Sequence, residues 1–326
     1  MKAVLVLSRK LSADSMIYFT PYEDLFRSHG IEFTRIYGDT EEEILAEAQG
    51  AEILLDMLQP ITAKILRGLP RLKAVIRSGI GVNNIDVATA TELGIMVCNS
   101  PDHCIQEVAN LATTHLLNAV TLLSQYGALV HAGKWQILPP PHRISSMTLG
   151  LIGFGNIARL VSRRIQAFGS KVVAYDPFLP DSIFQEYQVE KVELDALYAR
   201  ADMISIHVPL FPETMHMLNQ EAFEKMKDGV VIVNTARGPL ICEEDLIAAL
   251  KSGKVGAAGL DVFESEPITS PEHPLASLPN VCCTPHVGYR GVEAFAELEE
   301  KMAQCVVTLA KGELPYNCVN KKQLAK

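Results

Sequence analysis

The sequence predicts an α/β protein of two doubly wound parallel sheets, and two observations carry that prediction. Short apolar runs of strand length alternate with helix-like segments along the whole chain. A glycine pattern of the dinucleotide-binding type follows one of those runs near the middle. A chain of 326 residues is long enough for two domains, each with its own core.

In the first hundred residues the strand candidates are KAVLVL, IEFTRI, AEILLDM, LKAVIR and IMVCN. Between them lie segments such as TEEEILAEAQ, with a capping residue and helical periodicity. A long helical pattern then runs over about 106–130, followed by the proline run PPPH at 139–142. Beyond it come six more strand candidates: TLGLIGFG, KVVAYDP, MISIHVP, VVIVNTA, AAGLDVF and VCCTPH. A last amphipathic helix is expected over 293–309.

The formal net charge of −9 argues against a nucleic-acid-binding surface, which needs clustered Lys and Arg. No apolar stretch approaches membrane-spanning length, and the opening MKAVLVLSRK is too short to read as a signal peptide. The cysteine count is odd, seven, and no CxxC pair occurs, which reads as reduced thiols of a cytoplasmic protein. No set of ligands has metal-binding spacing, so no metal is expected.

The stretch LGLIGFGNIARLV contains Gly153, Gly155 and Ala158 in a G-x-G-x-x-A pattern, between a strand and a helix. Such a turn lets a pyrophosphate approach the backbone at a helix N-terminus. Asp176 ends the next strand about twenty residues later, where an acid binds ribose hydroxyls and repels a 2′-phosphate. NAD is therefore expected over NADP.

Three charged residues follow successive strands of the second set: Arg237, Glu266 and His286. Parallel strands gather their carboxyl ends at one edge, so these three can meet. Glu266 could then hold one nitrogen of His286 and leave the other to exchange a proton with a substrate oxygen. Arg237 would bind a carboxylate and face the developing alkoxide. Glu264, two residues earlier, is read as solvated. His103 and Trp135 are read as structural.

The stretches VIRSGIGVNNID, LGLIGFGNIA, AYDP, IHVPLFPET, VNTARGPLICEEDL, AGLDVFESEP and TPHVG together resemble the D-isomer-specific 2-hydroxyacid dehydrogenases. The resemblance implies a Rossmann cofactor domain over 102–288, inserted into a flavodoxin-like substrate domain made of 1–101 and 289–326. It places the family's catalytic residues on Arg237, Glu266 and His286, and its backbone donors for the substrate carboxylate on Ser78 and Gly79. Further cofactor contacts would fall on Asn156, Ile157, Val208, Thr235, Ala236, Asp261 and Gly288, with Arg237 and His286 also facing the cofactor. The region 106–130 would form a homodimer.

The implied reaction interconverts a small (D)-2-hydroxy acid and its 2-oxo acid with NAD. Within the family the chain is similar to the phosphoglycerate dehydrogenase and C-terminal-binding-protein branch. Arg77 matches a basic residue of the phosphoglycerate enzymes, and glyoxylate or hydroxypyruvate reduction fits equally well. The alternative reading is an NAD-sensing, corepressor-like binding protein with little turnover. The related formate dehydrogenases pair their histidine with Gln, where this chain has Glu266.

Overall fold

Parallel strands dominate both halves of the chain because each βαβ crossover returns the backbone to the same end of its sheet. The structure, a computed structural model, describes residues 1–10 and 19–324. It divides into two units, Met1–His103 with Gly291–Lys326, and Cys104–Arg290.

The first unit contains β1 (Lys2–Leu7), β2 (Glu32–Tyr37), β3 (Ile53–Asp56), β4 (Ala74–Arg77) and β5 (Met96–Cys98), all paired in parallel in the order β2-β1-β3-β4-β5. That is the flavodoxin-like order. The interior strand β1 is buried on both faces, so it reads as a continuous apolar run. Ala3, Leu5 and Leu7 face Phe19, Phe26 and the helix Val292–Ala310, whose Leu298, Met302 and Val306 recur at helical spacing. Val4 and Val6 point the other way, among Ile44, Leu54, Ile65 and Val97. The C-terminal segment is thus part of the first unit's core. Asn320 fastens it to β5, accepting from Val97 N and donating to Ile95 O.

The second unit contains β6 (Thr148–Ile152), β7 (Lys171–Tyr175), β8 (Glu190–Lys191), β9 (Met203–Ile206), β10 (Val230–Asn234), β11 (Val255–Leu260) and β12 (Val281–Cys283). Their order is β12-β11-β10-β9-β6-β7-β8, again wholly parallel. The strand order reverses between β6 and β9, which is where a doubly wound sheet opens a crevice for a ligand. One face of this sheet packs Ile204, Ile206, Ile232 and Leu260 against Leu197, Phe223 and Leu246. The opposite face packs Leu149, Leu151 and Val233 against Ala112, Leu116, Val161 and Ile165.

Two features differ from the sequence expectation. The edge strand β8 is an addition, its two exposed residues giving no hydrophobic pattern. The helix expected over 106–130 is two helices, Ile105–Thr121 and Leu123–His131, because Leu122 adopts a left-handed conformation with φ 57°. Its side chains before the break, including Val108, Ala112 and Leu116, are buried within the second unit.

At the end of β3, Asp56 is fully buried and shapes the loop that follows β4. Its carboxylate accepts from Gln59 N (3.0 Å) and Asn84 Nδ2 (2.6 Å), and lies 3.8 Å from Arg77 Nε. Asn84 in turn accepts from Arg77 Nε at 2.9 Å, so one buried acid orients the arginine through an amide. Burial raises the Asp56 carboxyl to about 6, the Arg77 charge and the hydrogen bonds offsetting only part of that rise.

Between about pH 4 and pH 6 the folded chain therefore holds a proton that the unfolded chain has released. Stability falls as pH rises through that window. Asp56→Asn should remove this component, so that the variant gains on the wild type by roughly 2 kcal/mol between pH 4 and pH 7. Urea unfolding of both proteins across that range checks it; a difference that does not change with pH would contradict it.

Candidate active site

The cofactor half of the site begins where β6 ends. Gly153 has φ +85°, and a Cβ there would lie 2.8 Å from the His207 carbonyl oxygen and 2.9 Å from Val208 Cγ1. Only glycine allows the turn to press against the end of β9 in this way. The chain then enters the helix Asn156–Gln166 through Gly155, which has no side-chain cap. A Cβ on Gly155 would meet nothing within 4 Å, so open space lies above an uncapped helix N-terminus. Ala158 is buried, as the third small position of the pattern requires.

Asp176 follows β7 and its two oxygens accept from Phe154 N (3.0 Å) and Phe178 N (3.0 Å). The glycine turn and the acid are thus tied to each other, with lone pairs of the carboxylate remaining for hydroxyl groups. At the end of β10, Ala236 N donates to Asn234 Oδ1, while the buried Thr235 Oγ1 has no hydrogen-bond partner among the described residues. A buried hydroxyl left without a partner beside the sheet's crevice calls for a bound polar group. The uncapped helix, the open space at Gly155, Asp176 and Thr235 all fit a dinucleotide.

Arg237, Glu266 and His286, the candidate catalytic residues, follow the carboxyl ends of β10, β11 and β12, three neighbours in the sheet. Glu266 Oε2 accepts from His286 Nδ1 at 2.7 Å, and Glu266 Oε1 accepts from Phe263 N at 2.9 Å. Burial pushes the Glu266 carboxyl up, but His286, the Phe263 N–H and the Arg237 charge together hold it below the usual carboxylate range. An ionised Glu266 accepts only from a protonated Nδ1, which in a neutral imidazole leaves Nε2 with its lone pair free of a proton. Burial lowers Arg237 from its usual value and the nearby Glu266 charge opposes this, so the guanidinium stays charged.

His286 has φ 53°, a conformation that costs a non-glycine residue about 1–3 kcal/mol. Asp261 holds it there. The Asp261 carbonyl accepts from His286 N at 2.9 Å, and its buried carboxylate accepts from Thr284 Oγ1, Val287 N and Gly288 N at 2.6, 2.9 and 2.8 Å. His115, on the helix Ile105–Thr121, completes the support through Thr284 Oγ1 at 3.2 Å. Asp261 and Gly288, expected as cofactor contacts, are here joined to each other. The supporting roles of Asp261 and His115 had no motif of their own; the signal was an acid directly after an apolar strand.

Gly238 brings the Arg237 segment against the Glu266 segment. A Cβ at that position would lie 1.9 Å from the Phe263 carbonyl group, so the two backbones are packed in direct contact. In the first unit, the Ser78 and Gly79 N–H groups donate to Asp56 O and Arg77 O. Both expected backbone donors are therefore engaged within the first unit, Ser78 with the end of β3 and Gly79 with the end of β4. Arg77 Nη1 donates to Ser78 O at 2.6 Å and folds over Gly79.

His103 is buried with Nδ1 2.9 Å from Ser100 O, a structural setting. Trp135 is not structural in that sense: it is 94% exposed. Glu264 is not simply solvated either, because it accepts from Glu243 N and pairs with His216.

Residues 113–288 match the family model of the D-isomer specific 2-hydroxyacid dehydrogenase NAD binding domain. The chain is 46% identical over 236 residues to a hydroxypyruvate reductase of Thermotoga maritima, covering 72% of this chain and 76% of that one. It is 39% identical to a D-3-phosphoglycerate dehydrogenase of Methanocaldococcus jannaschii over 87% of its own length, and spans about half, 54%, of that longer enzyme. Among solved structures, a glyoxylate reductase of Paecilomyes thermophila is similar with a TM-score of 0.86 and 29% identity, over 98% of this chain and 99% of that one. These relatives are enzymes, which sets aside the corepressor-like alternative. With the uncapped glycine turn, the acid after β7 and the matched NAD-binding domain together, the chain belongs to the D-isomer specific 2-hydroxyacid dehydrogenases and is NAD-dependent.

Proposed function

We propose that the chain reduces a small 2-oxo acid to its (D)-2-hydroxy acid, and runs the reverse reaction, with His286 as acid and base. The observation that carries this reading is the 2.7 Å bond between Glu266 and His286 Nδ1. In the reducing direction, protonated His286 gives its Nε2 proton to the substrate carbonyl oxygen as that oxygen becomes a hydroxyl. Glu266 remains ionised throughout, holds the ring and steadies the imidazolium before the transfer. Arg237 binds the substrate carboxylate and opposes the charge that develops on oxygen. Bound NAD supplies or accepts the hydride.

Asn156 and Ile157 would present the first helical N–H groups to the pyrophosphate, and Asp176 would take the ribose hydroxyls. Val208, Thr235 and Ala236 would line the same crevice. The cofactor unit is then the Cys104–Arg290 segment, and the first unit serves the substrate through the loop of Arg77, Ser78 and Gly79. For Ser78 and Gly79 to donate to a carboxylate, their N–H groups must turn away from Asp56 O and Arg77 O. Hydroxypyruvate is the leading substrate, because the Thermotoga maritima relative is a hydroxypyruvate reductase and Arg77 alone gathers little charge for a phosphate.

The seven free cysteines suit a reducing cytoplasm. The chain would pair as a homodimer near the 106–130 region. Leu123, Val130, Trp135 and Ile137 leave 67, 60, 94 and 85% of their surfaces exposed there, more than a monomer surface usually shows together. Trp135→Ser should lower the sedimenting mass towards that of one chain; an unchanged mass would remove this surface from the assembly.

NADH oxidation with hydroxypyruvate, glyoxylate and phosphohydroxypyruvate tests the reaction. His286→Ala should lose roughly 10²–10⁴ in turnover while still binding NADH. Turnover close to wild type would remove His286 from the mechanism. In the same assay Asp176→Ala should narrow the preference for NADH over NADPH, and unchanged discrimination would reassign that acid.

A further inference from the structure

Outside the catalytic residues, three loops of the second unit bring together a histidine, a cysteine and a glutamate that no spacing in the sequence connects. His216 follows β9, Cys242 precedes the helix Glu243–Ser252, and Glu264 follows β11. One ligand atom from each lies within 4.8 Å of the others, and His216 Nε2 is 2.8 Å from Glu264 Oε1. We propose that His216, Cys242 and Glu264 form a binding site for a divalent transition-metal ion of the zinc type.

The donor set selects the ion. Imidazole nitrogen, thiolate and carboxylate are together the ligands of zinc and cobalt, whereas magnesium and calcium prefer oxygen alone. Bond lengths of about 2.0–2.3 Å place tetrahedral ligand atoms about 3.3–3.6 Å apart. His216 Nε2 and Glu264 Oε1 would move apart by about half an ångström, and Cys242 Sγ starts within 4.8 Å of both, a range that side-chain torsions span. Three protein ligands leave a fourth position to solvent, and both His216 and Glu264 are exposed.

The backbone beneath the ligands is already fixed. His216 N donates to Pro239 O, Leu218 N to Leu240 O and Cys242 N to Leu218 O, at 2.8, 3.1 and 2.8 Å, which locks the first two loops together. Glu243 N donates to Glu264 Oε1 at 3.0 Å, and Glu264 N donates to Glu243 Oε2 at 3.3 Å, which locks in the third. Hydrogen bonds of this kind orient a ligand before the metal arrives. Asp245 and Glu264 place negative charge beside Cys242, and His273 sits 3.1 Å from Glu243. On binding, a metal–sulfur bond replaces the thiol S–H bond and the proton passes to solvent. The expectation of no metal rested on linear spacing, which cannot register ligands drawn from three separate crossover loops.

The site stands independently of the catalytic assignment, since none of its three ligands has a role there. The test is cobalt(II) titration of the full-length protein after chelator treatment, followed by competition with zinc. One equivalent per chain should give a thiolate-to-cobalt charge-transfer band together with the visible bands of tetrahedral cobalt, and zinc should displace it. Cys242→Ser should abolish the charge-transfer band, and His216→Ala and Glu264→Gln should each weaken binding at least tenfold. Cys282→Ser, which alters a thiol outside the cluster, should leave the titration unchanged, and unaltered NADH binding in every variant shows that each is folded. Absence of the band in the wild type, or its persistence in Cys242→Ser, would overturn the proposal.

Discussion

A parallel sheet puts the carboxyl ends of all its strands on one edge, and the candidate active site depends on that constraint more than on any single contact. Arg237, Glu266 and His286 are separated by long stretches of chain, yet they follow β10, β11 and β12, which are neighbours in the sheet. Strand spacing of about 4.8 Å then brings the loops within side-chain reach. The same edge of the same sheet carries the glycine turn after β6 and Asp176 after β7. The groups proposed for the cofactor and for acid–base chemistry are thus delivered by one geometric rule.

The rule delivers loops, but it does not fix side chains. That work falls to buried acids. Asp261 takes three hydrogen bonds from the loop that carries His286 and accepts a fourth on its carbonyl, and this holds a residue in a backbone conformation it would not choose alone. Asp56 plays a parallel part in the first unit, orienting Arg77 through Asn84. In each unit a carboxylate at a strand end spends its acceptors on backbone or amide N–H groups, and a residue of the proposed chemistry is held in place as a result. Removing such an acid would leave several donors unpaired, a larger loss than one hydrogen bond.

The architecture was legible in the sequence because buried parallel strands are continuous apolar runs, and each expected run overlaps an observed strand. The G-x-G-x-x-A turn was legible because close backbone approach admits only small residues. The Glu266–His286 pairing followed from strand ends alone. What stayed hidden has physical reasons. β8 has two exposed residues and no pattern. The break at Leu122 lies in a uniformly helical stretch, without the glycine that usually marks a left-handed residue. Trp135 is apolar yet exposed, and no local pattern reveals that. The Asp56–Asn84–Arg77 relay and the His216–Cys242–Glu264 cluster join residues far apart in the chain, so their partners become visible only once the sheets are assembled.

The central claim is that Glu266 fixes the working nitrogen of His286, and nitrogen-15 NMR of histidine-labelled protein tests it most directly. The His286 signals are identified by their loss in a His286→Gln variant. The account predicts that neutral His286 carries its proton on Nδ1, and that Glu266→Gln relaxes this preference. A neutral imidazole protonated on Nε2 in the wild type, or a tautomer unaffected by Glu266→Gln, would contradict it.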